Sequence, residues 1–196
     1  MNRLRVAFLT VLPLLLAGCN NDGTTSAQFA ASATPPAPGL VKLAQSSVSG
    51  TQVQLNVLLN GPEPDLDLNA FRFAVKISDP SAVRFVPQSS YAQSALIAGE
   101  GQSIVIDVDG ASDPSRVNVQ MRKAGGGPGN GFTSPAAVVI SLTFEVLGSG
   151  GAALSFAGVG AFPAEALDSR GTPIDAVHFD GAGASLAAVQ TGGGGY

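Results

Sequence analysis

Tryptophan is missing from this 196-residue chain, tyrosine occurs twice, and there is one cysteine and one histidine. A single cysteine allows no internal disulfide, and one Cys with one His cannot supply a four-ligand zinc site. Any Ser-His-Asp or Cys-His machinery would need His178, whose sequence neighbours include Asp175 and Asp180. No serine stands in a G-x-S-x-G elbow, because Gly183-Ala184-Ser185-Leu186-Ala187 ends in alanine. The glycine run Gly125–Gly131 lacks the Lys-Ser/Thr of a phosphate loop and precedes a strand pattern rather than a helix, so it reads as a long flexible hairpin loop. Charge is scarce too: 10 basic and 14 acidic residues give a net −4, which argues against a nucleic-acid surface. The expectation is a protein that is not an enzyme. The shortage of Tyr and Trp also leaves little for a flat aromatic platform on crystalline polysaccharide.

What the chain does have is apolar residues, at 45%, and punctuation, with 25 Gly and 13 Pro. That is enough hydrophobicity for one well-buried core and too little helical sequence for a bundle. The start reads as an address: Arg3 and Arg5, then the apolar run Val6–Leu16, then small residues. Leu16-Ala17-Gly18-Cys19 resembles the lipobox of bacterial lipoproteins. That resemblance implies a lipoprotein signal peptide over 1–18 and an acylated Cys19 as the mature first residue. Several acyl chains on one residue anchor stably, where one would not. The expected location is the bacterial cell envelope, and Asn20 in place of Asp favours the outer membrane.

After Cys19 the composition turns small, polar and proline-rich, so residues 19–38 are expected to form a flexible tether. Residues 190–196 (QTGGGGY) are expected to be a disordered glycine-rich tail, leaving one domain over 39–189. Within it the hydrophobic period is two. Val53, Leu55, Val57 and Leu59 alternate with their neighbours, as do Phe71, Phe73, Val75 and Ile77. Further runs occupy 103–108, 116–121, 136–147 and 152–159, with shorter ones at 41–47, 82–86, 174–179 and 183–189; a helical turn is possible near 91–97. Asn60-Gly61-Pro62, Asp109-Gly110, Gly148–Gly151 and Asp180-Gly181 punctuate them. Many short strands, each with one apolar face, predict an all-β sandwich of two packed sheets. Phe71, Phe73, Val75, Phe85, Leu142, Phe144 and Val146 should point between them.

The order of these segments resembles the cohesin domains. The similar stretches are Gly50–Val57, Ala70–Phe85 with its Asp79-Pro80 turn, Val139–Val146, Asp168–Ile174 and Gly183–Leu186. The resemblance implies a nine-stranded jelly-roll sandwich, related to the family-2 and family-3 carbohydrate-binding modules. Cohesins bind dockerin domains on the outward face of the sheet holding their third, fifth and sixth strands. Carried over, that face would present Arg72, Ala74 and Lys76, then Asn118, Gln120 and Arg122, with Lys123 at the edge. Arg72 stands where well-known cohesins present an Asp, and Ser78 is an extra residue before the Asp-Pro turn, suggesting a bulge or a shifted turn. The implied partner is a protein, dockerin-like, with an acidic surface to meet a positive patch. Polysaccharide binding and a purely structural envelope role are the alternatives. No cofactor or metal is expected. Structural calcium is the one open possibility, because Asp107-Val108-Asp109-Gly110 resembles part of a calcium loop, with Asp113, Asp65 and Asp67 in similar sequence.

Overall fold

The computed structural model describes residues 24–91, 103–125 and 127–191. Cys19 and most of the 91–97 segment lie outside them. The described residues form twelve strands and no helix, arranged as two sheets. The smaller sheet contains β2 (Leu40–Ser49), β3 (Gln52–Asn60), β5 (Val83–Val86), β8 (Ala136–Val146) and β11 (His178–Phe179), in the order β11-β2-β3-β8-β5. The larger contains β1 (Thr24–Ala30), β4 (Ala70–Ile77), β6 (Ile104–Asp109), β7 (Arg116–Lys123), β9 (Gly151–Ala157), β10 (Glu165–Leu167) and β12 (Ala184–Thr191). Its order is β1-β12-β9-β4-β7-β6, with β10 also on β4.

The alternating residues meet between the sheets. Phe71, Phe73 and Val75 from β4, Phe85 from β5, and Leu142, Phe144 and Val146 from β8 are all buried, as the period of two predicts. Phe73 sits at the centre, 5.7 Å from the Phe156 ring and 5.5 Å from the Phe179 ring. The two sheets thus share one continuous core.

Twelve strands replace the expected nine for three reasons. First, β9 and β10 both lie antiparallel to β4, at Ala74–Ile77 and Ala70–Arg72 respectively. They are one line of strand interrupted by the connection 158–164. Second, the two late runs expected at 174–179 and 183–189 fall in different sheets: β11 pairs parallel with β2, and β12 pairs with β9. Of 174–179, only His178 and Phe179 are strand. Third, β1 exists at all.

The expectation of a flexible tether over 19–38 is corrected by β1, which pairs with β12 from Thr24↔Thr191 to Ala30↔Ser185. Composition misleads here because an edge strand needs little apolar surface of its own. Ala27 is buried and Phe29 packs on the core, while the backbone groups of β12 supply the rest. The chain after β1 is held by Asp180, a buried carboxylate that accepts hydrogen bonds from Ser32 Oγ, Thr34 Oγ1 and the Ala182 amide. Buried Lys42 donates to the Thr34 carbonyl. Gln190 and Thr191, assigned to the tail, complete β12.

The glycine run is likewise not a free hairpin. Asn130 donates to the Leu68 carbonyl, Glu63 bridges Phe132, and the Gly129 amide donates to Asp67. A Cβ on Gly129 would lie 2.3 Å from the Leu68 oxygen, so only glycine allows this approach. No bulge follows Ser78: β4 keeps register with β9 through Ile77, and the Ala82 amide closes the Asp79 turn (3.2 Å).

Candidate partner-binding face

The register of the larger sheet fixes which side chains share its outward face. Across β7, β4 and its next neighbour, one row reads Arg122, Ala70, Leu167, and the next reads Gln120, Arg72, Glu165. Then come Asn118, Ala74, Ala157, and finally Arg116, Lys76, Ser155. β6 adds Val105, Asp107 and Asp109 opposite Arg122, Gln120 and Asn118. Arg72, Lys76, Asn118, Gln120 and Arg122, named from sequence, therefore do lie together on one face. Lys76, Gln120 and Arg122 are exposed.

The face is not the open positive patch expected. Arg72 forms an ion pair with Glu165, through both Nε (2.8 Å) and Nη2, and its guanidinium lies 3.6 Å from the centre of the Phe162 ring. Glu165 is only 8% exposed. Arg72 is thus neutralised and covered, because β10 delivers a carboxylate to its register partner. Lys123 is a second correction. Alternation along β7 turns it inward with Val117, Val119 and Met121, and its ammonium donates to the Pro128 carbonyl.

The connection 158–164 partly roofs the face. The Gly158 carbonyl accepts from Arg116 Nη2 (2.7 Å), and Phe162 rests on Arg72. Between those two points Ala74 is fully buried, and Asn118 Oδ1 is buried without a hydrogen bond among the described residues. Asn118 is therefore far less available than its neighbours. Two hollows flank the roof. One, of about 290 Å³, is lined by Ala70, Arg72, Val105, Asp107, Gln120 and Arg122, with Leu167 at its wall. The other, of about 320 Å³, lies around Lys76, Arg116 and Ser155. Val105 (45% exposed) and Phe162 (53%) are the most exposed large apolar side chains on this face.

Elsewhere the suspected chemistry does not assemble. His178 is exposed on β11, while Asp180 is turned towards Ser32 and Thr34. Asp67 accepts from the Ser169 hydroxyl and from the Gly129 amide, and those bonds hold its carboxyl below the usual range. Asp109 and Asp113 are similarly lowered, first by the hydroxyls of Ser112 and Ser115 and then by turn amides. Asp107 faces outward from β6 instead. Among the described residues no three His, Cys, Asp or Glu side chains converge as a metal site.

The two-sheet sandwich as a whole has counterparts among solved structures. The chain is similar to a type II cohesin from Bacteroides cellulosolvens, with a TM-score of 0.51, 13% sequence identity, and 74% of this chain and 96% of that one covered. This is the cohesin fold. A chain from a type II cohesin–X–dockerin complex of Acetivibrio cellulolyticus matches as well, with a TM-score of 0.51, 12% identity, and 72% of this chain and 92% of that one covered. No protein-family model and no curated protein sequence matches the chain.

Sequence reasoning missed several residues of the cohesin-fold face. Arg116 was legible, since it continues the Asn118, Gln120, Arg122 alternation by one step. Glu165 and Phe162 were not: β10 has three residues, too few to show a period, and Phe162 lies in a connection.

Proposed function

We propose that this protein is a non-catalytic binding module, lipid-anchored at Cys19 in the bacterial envelope, that engages a protein partner on the outward face of β4, β7 and β6. The observation that carries the reading is the face itself: Val105, Leu167 and Phe162 beside exposed Gln120, Arg122 and Lys76, on a sandwich with the cohesin fold. The neighbour from A. cellulolyticus was solved in a complex with a dockerin, which supports a dockerin-like partner here. The face suits a partner with mixed apolar and polar character rather than a uniformly acidic one, because Glu165 and Asp107 offset Arg72 and Arg122. Polysaccharide is the second reading, favoured only by Phe162, an exposed ring on which a sugar could stack. The anchor rests on the lipobox-like Leu16–Cys19 and the preceding signal pattern, and Asn20 points to the outer membrane.

The test is capture of partners from envelope and secreted extracts by the detergent-extracted protein and by Arg122→Glu. A protein retained by the first and weakened at least tenfold with the second supports the reading. Equal retention by both moves the site off this face. A glycan array that lights up where protein capture fails would favour the polysaccharide reading. The mass of the extracted protein should exceed that of Cys19→Ser by its acyl groups.

A further inference from the structure

Lys76 and Arg116 are direct register partners on β4 and β7, both on the outward face, with Ser155 opposite Lys76 on the other side. Like charges set opposite one another across an antiparallel pair repel. None of the ion pairs among the described residues includes either cation. Arg116 Nη2 donates to the Gly158 carbonyl, which fixes the guanidinium, the nearby Asp113 carboxylate offsets part of its charge, and its buried Nε has no acceptor among the described residues. The two cations line the 320 Å³ hollow together with Ser78, Ser115, Ser155 and Asp113. Asp113, the one acid there, already accepts from the amide (2.9 Å) and hydroxyl (2.7 Å) of Ser115. Two cations against one engaged carboxylate leave the hollow positive on a chain whose net charge is −4.

We infer that this hollow receives a carboxylate from the partner protein, an Asp or Glu side chain seated between Lys76 and Arg116. The inference rests on the partner-binding reading of the face and deepens it. Charge complementarity selects an anion. No aromatic ring lines the hollow to hold a sugar, so the side chain of a protein is favoured over an acidic glycan. The neighbouring 290 Å³ hollow, with Val105 and Leu167, would take an apolar group at the same time. The carboxylate would fix the partner's register on the sheet more than its affinity.

The probe is a blocked Gly-Glu-Gly peptide added at millimolar concentration to the isotope-labelled full protein, followed by NMR at the Ser155 amide and the Arg116 Nε–H. Both resonances should shift with this peptide, stay still with Gly-Gln-Gly, and stop responding in Lys76→Gln. Lys76→Gln alone should keep or raise the melting temperature, because it relieves repulsion; a fall would make Lys76 a structural residue and overturn the inference. Equal shifts from both peptides, or shifts that persist in Lys76→Gln, also overturn it. So does a response to tri-galacturonate with none to the peptide, which assigns the hollow to an acidic glycan. Loss of partner capture with Arg122→Glu, alongside a silent peptide titration, would retain the face and remove only the hollow.

Discussion

Arg72 on β4 and Glu165 on β10 stand directly opposite each other, and their ion pair is closed beneath the ring of Phe162. This pairing changes what a mutation at Arg72 can report. Arg72→Glu would set two carboxylates face to face in a covered site, so it tests folding before it tests recognition. Arg72→Met should destabilise by about 1–3 kcal/mol in denaturant unfolding, below the usual range for a buried pair because Arg72 keeps 23% of its side-chain exposure. Arg72→Met combined with Glu165→Met should recover much of that loss. A double variant as unstable as the sum of the singles would mean that the pair is not coupled.

Phe73 is fully buried between Phe156 and Phe179, so Phe73→Ala should cost about 3–5 kcal/mol. A loss under about 1 kcal/mol in chemical unfolding would contradict the register of β4.

The N-terminal strand makes a kinetic prediction. The Ala27 amide donates to the Gly50 carbonyl (2.9 Å), so it should exchange with deuterium far more slowly than an unstructured amide. Asp180→Asn weakens the acceptor for Ser32 and Thr34 and should speed exchange across β1 with little effect at β3 and β8. Exchange at unstructured rates in the unmodified protein would restore the tether.

Acid should destabilise the fold in a defined direction. Burial opposes the charge on Asp180, but hydrogen bonds from Ser32, Ala182 and Thr34 and the Lys42 charge outweigh it, and the carboxyl is held below its ordinary 3.8. A carboxylate with a lowered folded value stabilises fully above its unfolded value and loses that contribution as pH falls through the folded one. Asp67, Asp79, Asp109, Asp113 and Asp168 are shifted the same way. Unfolding free energy should therefore be flat at neutral pH and fall below about pH 4. Asp180→Asn should shallow that slope; an unchanged slope would mean that Asp180 keeps its ordinary pKa when folded.

The parts legible in sequence are those where side-chain burial and backbone period agree. Val53, Leu55 and Val57 could only be a half-buried strand, and Phe71, Phe73 and Val75 another, so both sheets and the core followed. β1 was illegible because Thr24–Ala30 joins the sheet through its backbone, on a β12 partner at the far end of the sequence, while Asp180 holds only the chain that follows at Ser32 and Thr34. The outward face was half legible. Alternation set Arg72 with Lys76 and Gln120 with Arg122, and the resemblance to cohesins joined the two sets on one face, but the neutralising Glu165 and the covering Phe162 come from a strand and a connection too short to carry a pattern. Lys123 shows the same limit: its charge argued for solvent, while its place in the β7 alternation put it inside.

The pairing of Thr24 with Thr191 brings the first and last described residues together at one end of the β1–β12 ladder. Cys19 lies five positions before Thr24, so an anchor there would lie at most about 18 Å from the ladder, by the reach of an extended chain. With Cys19 held at a membrane, a load from a partner would enter the domain through the Thr24 end of β1. Ladder hydrogen bonds run perpendicular to the strands, so the seven β1–β12 register pairs would share, in shear, the component of that load directed along β1. With an anchor at Cys19, the strand that composition marked as slack rope would become the mechanical coupling between the sandwich and the surface.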